Sequence, residues 1–199
     1  MALTHATRTN TKDDLRAHAR RLFAEHGYEG VSMRDIAGSV GIRQSAIYNH
    51  FPSKQHLLVD LMVGHMEQLL DAMRKSVGTQ GSPIDRLQAF ARFHVMYHID
   101  QPDDVFLAYM ELRSLEEDGK AVVVPLRDAY EATLKNILDS GTWDGSFTIA
   151  DSAVVARALL AMLTGVTVWF KEPGRLDRET VAEAYVSTIL QAVGCDRDI

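Results

Sequence analysis

The 199-residue chain is predicted to be all-α. A three-helix helix-turn-helix unit at the N-terminus precedes a larger helical body. Three observations carry this. Apolar residues recur at three- and four-residue intervals through long segments, with only 5 Pro and 13 Gly to interrupt them. The stretch Gly41 to Phe51 (GIRQSAIYNHF) is a short polar helix entered through a glycine turn and stopped by Pro52. Charge is also divided unevenly. Residues 1–55 hold eight Arg and Lys against five Asp and Glu, a net +3, which leaves −9 for the rest of a chain whose total is −6. A basic head on an acidic body fits a protein that meets phosphate at one end only.

Residues 1–10 read as a flexible arm and residues 11–54 as the helix-turn-helix unit. Residues 55–199 read as a body that binds an effector and dimerises. Thr11 caps the first helix, with Asp13 and Asp14 in its first turn, and Leu15, Ala19, Leu22 and Phe23 form its buried stripe. Arg16, Arg20 and Arg21 lie off that stripe, and Gly27 ends the helix. The second helix spans about Met33 to Val40. Ser32 and Asp35 have capping-box spacing, Ile36, Ala37 and Val40 face inward, and Arg34 faces out. In the third helix Ile42, Ala46 and Ile47 turn inward while Gln44, Ser45, Tyr48, Asn49 and His50 point outward. Phe51 closes the apolar side.

Ser53 caps a fourth helix that runs to about Ser76 and joins head to body. After a loop at Val77 to Ser82, Pro83 opens a fifth helix, and Pro102 separates it from another predicted over Val105 to Leu115. Glu116 to Gly119 is expected to be a polar joint. Lys120 to Asp139 is expected to be a helix with Pro125 near its start or kinking it, and Ser140 to Ser146 a loop. Ala150 to Phe170 is apolar nearly all round, so it must be covered on several sides. Arg157, the segment's length and the lack of a flanking basic cluster argue against a bilayer span. The small residues Ala156, Ala161 and Gly165 permit close helix contact. Val181, Ala184, Tyr185, Thr188, Ile189 and Ala192 stripe the last helix, so residues about 150–193 are expected to form half of a four-helix homodimer interface. The single cysteine, Cys195, fits a reducing cytoplasm, and Met1 to Asn10 lacks the apolar core of a signal peptide.

The residues from Thr11 to Lys54 resemble the N-terminal domain of TetR/AcrR-type transcriptional repressors. The matching positions are Ala24, Gly27 and Tyr28, then Ser32-Met33-Arg34-Asp35-Ile36-Ala37, then Gly41-Ile42, Ile47-Tyr48-Asn49-His50-Phe51 and Ser53-Lys54. Arg43 stands where that family often has Ser or Thr. Trp169 to Gly174 is similar to a branch that includes regulators of steroid and fatty-acid catabolism responding to CoA thioesters. The resemblance implies a ligand-responsive regulator released from a palindromic double-stranded operator by an apolar or acyl-CoA-type effector.

Side-chain chemistry assigns the contacts. Gln44 and Ser45 suit base edges in the major groove, and Tyr48, His50 and Lys54 suit phosphate oxygens. Arg34 and Arg43 reach base or backbone, and Thr11 and Ser32 cap helices whose free amides face phosphate. For the effector, the adaptable and aromatic residues Met62, Met66, Phe93, Tyr97, Phe106, Tyr109, Met110 and Trp169 are candidate pocket walls, with plain core packing as the alternative for each. Arg113 binds an effector anion or pairs with Glu111 or Asp128. Lys171 and Arg175 are available to a CoA ligand. His94 and His98 share a helix face, but no third ligand is obvious beyond His65, so they read as core or pocket histidines and no metal or other cofactor is expected. No phosphate loop or nucleophile elbow is present, which argues against an enzyme. The alternative function is a helical small-molecule-binding protein whose basic head contacts another protein.

Overall fold

The computed structural model describes residues 11–195, so the arm expected at residues 1–10 lies outside the described residues. Every regular element described is helical. The head comprises α1 (Thr11–His26), α2 (Met33–Val40) and α3 (Gln44–Ile47). The body comprises α4 (Lys54–Val77), α5 (Pro83–Asp100), α6 (Pro102–Met110), α7 (Glu117–Asp144), α8 (Ser152–Thr164), α9 (Val166–Trp169) and α10 (Arg178–Ala192).

Local chemistry sets the ends of these helices. Ser32 and Asp35 close the expected capping box on α2, and Ser82 and Asp85 close a second on α5, where Pro83 needs no amide partner. Gly41 caps α2 at φ +79°, a left-handed conformation that favours glycine. The third helix is shorter than expected. Regular α geometry stops at Ile47, and Asn49 and His50 continue as tighter turns, donating to Ala46 and Ile47 carbonyls. Pro52 disfavours α geometry at the residue before it, which tightens the chain to that point.

Two hydrophobic cores form. Leu15, Phe23, Ile36, Ile47, Phe51 and Leu57 centre the first, which continues into the body through Leu107, Leu115 and Val123. Each such side chain contributes about 1.5–3 kcal/mol by leaving water. The second core joins α4, α5, α7, α8 and α10 around Phe90, Leu134, Ile137, Leu163 and Ile189.

Three boundaries around α6 and α7 differ from expectation. Helix α6 ends at Met110, and Leu112–Ser114 form a 3-10 turn. The polar joint at Glu116 to Gly119 is absorbed into α7, whose first turn holds Glu117 and Asp118 near the positive helix end. Of the loop expected over Ser140 to Ser146, Ser140 to Asp144 also belong to α7, which Gly145 ends in a left-handed conformation. Ser140 and Thr142 satisfy their hydroxyls on the Asn136 and Leu138 carbonyls, and Gly141 is small because the Phe147 ring lies where a Cβ would be. Pro125 sits inside this helix.

The long apolar segment begins at Ser152 and breaks at Gly165, which separates α8 from α9. Ser152–Trp169 is long and apolar enough to cross a bilayer by length and composition, and only 28% of it is buried inside the protomer. Ala156 is wholly buried, whereas Val154, Ala158, Ala161 and Val168 face outward. The stripe on α10 splits likewise. Val181 and Ile189 enter the core, and Ala184, Thr188 and Ala192 lie on the opposite, exposed side.

Candidate nucleic-acid interface and ligand cavity

The Gly41 turn and the Ile47 and Phe51 anchors hold α3 against the head core, so its other face is open. Gln44, Ser45, Tyr48, Asn49 and His50 are all exposed on it, with Tyr48 46% accessible. Arg34 and Arg43 are exposed beside them, and no ion pair ties either one among the described residues. Ser32 is exposed too, but its hydroxyl is engaged with Asp35, donating to Oδ2 at 2.6 Å and accepting the Asp35 amide at 3.2 Å. That bonding holds the Asp35 carboxyl below the usual aspartate range. Thr11 is the first residue of α1 itself and is half-buried.

Three other head cations, Lys54, Arg16 and Arg20, turn inward, while Arg21 stays exposed and pairs with Glu25 along α1. Lys54 Nζ donates to the Tyr28 and Val31 carbonyls at 2.9 and 3.0 Å and lies 4.0 Å over the Tyr28 ring, leaving one N–H for an outside acceptor. Arg16, which reads from sequence as an outward charge, forms a two-pronged pair with Asp60 of α4 at 2.6 and 2.8 Å. Arg20 Nε approaches Asp104 Oδ1 of α6 to 2.8 Å, off the N–H direction, so this contact is an ion pair rather than a hydrogen bond. Asp104 is 8% exposed at its side chain, and burial raises its carboxyl above the ordinary aspartate value although Arg20 opposes the shift. The outward positive surface is therefore smaller than composition implies, and part of the head's charge clamps it to the body.

A second clamp is made of hydrogen bonds. The Tyr28 amide donates to Oε1 of the buried Glu111 at 3.0 Å, and the Ser114 hydroxyl donates to Oε2 at 2.6 Å. Gln55 donates to the Tyr28 hydroxyl and the Ser114 carbonyl at 2.9 and 2.6 Å. The turn after α1, the start of α4 and the end of α6 thus form one unit. Arg20, Asp104, Tyr28 and Gln55 are not recognisable as a unit from the sequence. The only sign is carboxylates within the apolar run from Asp104 to Glu111.

Between α6, α8 and α9 lies a cavity of about 600 Å³, walled mainly by apolar groups, with Ala24 of α1 at its edge. Phe106, Tyr109 and Met110 line it as the sequence suggests, and Thr164, Thr167 and Val168 complete the facing wall. The other candidates lie elsewhere. Met62 is buried in the head core. Met66 borders a smaller cavity of about 90 Å³ behind Tyr109. Phe93 and Tyr97 pack on each other against the body core, with ring centres 5.4 Å apart. Trp169 is 54% exposed and stacks on Tyr185 of α10. Arg113 is exposed on the 3-10 turn without the pairing expected, because Tyr28 and Ser114 already occupy Glu111.

Behind the cavity lies a buried polar chain. The Tyr130 hydroxyl is 3.1 Å from His94 Nδ1, His94 Nε2 is 3.2 Å from Thr164 Oγ1, and Thr164 donates to the Tyr109 hydroxyl at 2.9 Å. His98 stacks on His94 with ring centres 3.7 Å apart. Burial pushes His98 down to about 3 and His65 down to about 4, and holds His94 well below its ordinary value, so all three are neutral at pH 7. Both His94 nitrogens are occupied within the protein, which fits the core or pocket role rather than metal ligation.

Comparison with known proteins agrees with this architecture. Residues 15–61 match the model for bacterial regulatory proteins of the tetR family, and residues 80–193 match the tetracyclin repressor-like C-terminal domain. The chain is 26% identical over 186 residues to the HTH-type transcriptional repressor KstR2 of Mycolicibacterium smegmatis, covering 92% of this chain and 90% of that protein. A tetR-family regulatory protein from Rhodococcus RHA1 superposes with a TM-score of 0.89 at 26% identity, covering 95% of this chain and all of that one. AibR, solved in complex with isovaleryl coenzyme A and operator DNA, superposes with a TM-score of 0.84 at 25% identity, covering 90% of this chain and 97% of that one. With a head matched by one family model and more than half its length by the other, the chain belongs to the TetR family of bacterial transcriptional regulators.

Proposed function

We propose that the protein is a homodimeric, cytoplasmic repressor without catalytic activity, released from a palindromic operator by an apolar or acyl-CoA-type effector. Residues 11–54 serve as the DNA-binding unit and residues 55–199 as the effector-binding and dimerising unit. One observation carries the reading. The cavity is walled by α6 and touches α1 at Ala24, and α6 is tied to the head through Arg20–Asp104 and Glu111–Tyr28. A ligand that moves α6 therefore pulls on the element that sets the position of α3. An effector weakens DNA binding only by its preference for the state in which two heads are wrongly spaced.

At the operator, Gln44 and Ser45 read base edges, and Arg34, Arg43, Tyr48 and His50 hold phosphates. Thr11, Ser32 and the remaining Lys54 N–H support the backbone contacts. A second copy covers the small exposed residues of α8 and α10, among them Ala158, Ala184 and Thr188. That arrangement also supplies a cover for the apolar Ser152–Trp169 face other than a lipid bilayer. Lys171 and Arg175, exposed beyond α9, offer cations to a CoA phosphate. The complex of AibR with isovaleryl coenzyme A and operator DNA supports the same pairing of ligand and DNA here.

In vitro selection from a random duplex pool tests the proposal. An enriched inverted repeat with half-site centres separated by about 34 Å or a small multiple, bound by two protomers, is expected. A pool that stays unenriched sinks the assignment and favours a protein partner for the head.

A further inference from the structure

The buried chain from Tyr130 to Tyr109 has a direction. Tyr130 is 4% exposed, and its hydroxyl meets His94 Nδ1 and no other partner among the described residues. A buried hydroxyl proton left without an acceptor costs about 1–3 kcal/mol, so Tyr130 donates to Nδ1. His94 is neutral, and a neutral imidazole that accepts at Nδ1 carries its one proton at Nε2. That proton goes to Thr164 Oγ1, and the Thr164 proton goes to the Tyr109 oxygen. The Tyr109 proton then has no acceptor among the described residues. Tyr109 and Thr164 both line the 600 Å³ cavity, whose wall beside them is Phe106, Met110 and Val168; its other polar side chains, Asp103 and Thr167, make no hydrogen bond with the Tyr109 hydroxyl, and Thr167 donates to the Thr164 carbonyl instead. Arg127 reinforces the arrangement. Its guanidinium carbon lies 4.7 Å from the Tyr109 ring centre and its Nη1 donates to the Ala108 carbonyl at 2.7 Å, which places a positive charge over the phenol and strengthens it as a donor.

We infer that Tyr109 is a specificity-determining hydrogen-bond donor of the cavity, committed to donate by the one-way chain Tyr130–His94–Thr164. The effector accordingly presents a hydrogen-bond acceptor, such as a ketone, ester or thioester carbonyl, at that point and an apolar body against Phe106 and Met110. A ligand group that can only donate is disfavoured, because it leaves the Tyr109 proton without an acceptor, and reversing the chain to relieve that would strand the Tyr130 proton. This rests on the reading of the cavity as the effector site.

The test uses two small probes of similar shape, acetophenone with a carbonyl and ethylbenzene without one, titrated into the full-length protein and its Tyr109→Phe variant. Binding is followed through the Met110 methyl resonance, and the His94 tautomer is read from its ring nitrogen shifts. The expected result is that Tyr109→Phe weakens acetophenone three- to tenfold, the worth of one net hydrogen bond, and leaves ethylbenzene unchanged, with the His94 proton on Nε2. Equal effects on both probes, no effect on either, or a proton on His94 Nδ1 overturns the inference while leaving the cavity a binding site. If neither probe shifts the Met110 resonance of the unsubstituted protein, the reading of the cavity fails and the inference fails with it.

Discussion

The Arg20–Asp104 pair offers a quantitative test of how head and body are joined. Its partners are unequally buried, with side-chain exposures of 37% and 8%. Removing one member of a fully buried pair costs about 3–5 kcal/mol, because the other charge is left uncompensated. Arg20→Met strands the more buried charge, and solvent reaching the Arg20 side discounts the cost to about 2 kcal/mol. Asp104→Asn leaves a guanidinium that can turn to water and keeps an amide oxygen beside it, for about 1 kcal/mol. The double variant should cost less than the sum of the two. Burial already raises the Asp104 carboxyl with Arg20 present, and removing Arg20 raises it further. A carboxyl whose folded pKa exceeds its unfolded value takes up its proton in the folded state first, so the Arg20→Met penalty shrinks as pH falls from 7.5 to 5. Relief of Arg20's repulsion on His65 acts in the same direction. Urea unfolding of the four proteins at both pH values, at one protein concentration, measures this. A penalty that does not change with pH, or a costlier Asp104→Asn, refutes the assigned burial and pairing.

Three further outcomes are expected. Arg34→Ala and Arg43→Ala should each weaken binding to all duplexes and lower the log–log salt slope by about 1, whereas Gln44→Ala should blur sequence choice, as salt titrations of gel shifts will show. The buried histidines make the protein acid-sensitive. His65 and His98 have folded values of about 4 and about 3 against 6.5 unfolded, so their neutral-form stability is complete above pH 6.5 and is lost as pH falls toward 4. By pH 5 the loss is about 2 kcal/mol per histidine, and His98→Phe should flatten the measured profile. Gly141→Ala places a Cβ 2.0 Å from the Phe147 ring and should cost about 2 kcal/mol despite alanine's better helix propensity, a loss that Phe147→Leu recovers in denaturant unfolding.

What sequence revealed and what it hid divide along physical lines. The Ser32–Asp35 box, the Gly41 turn and the inward positions Leu15, Phe23, Ile36 and Ile47 were legible because each depends on neighbours within a few residues. Ser140 to Ser146 misled because serine, glycine and threonine usually mark loops. Here the hydroxyls bond back to the helix and Phe147, brought from outside it, requires the glycine. Arg16 and Arg20 were unreadable for a similar reason, since Asp60 and Asp104 reach them only through the fold. In the cavity, residue type identified Phe106, Tyr109 and Met110, but only packing separates them from Met62 and Trp169. Thr164 offered no signal, because its role comes from a hydrogen bond to a residue 55 positions away.

If the cavity and the DNA-binding head share one equilibrium through α6, the two binding events are linked. Linkage makes it measurable: with a selected duplex and a ligand seen at the Met110 methyl, each affinity is titrated with and without the other partner. Ligand should weaken duplex binding and duplex should weaken ligand binding by the same factor, about 5- to 150-fold, and Arg20→Met combined with Asp104→Asn should reduce that factor. A ligand that fills the cavity and leaves duplex affinity unchanged would contradict this linkage.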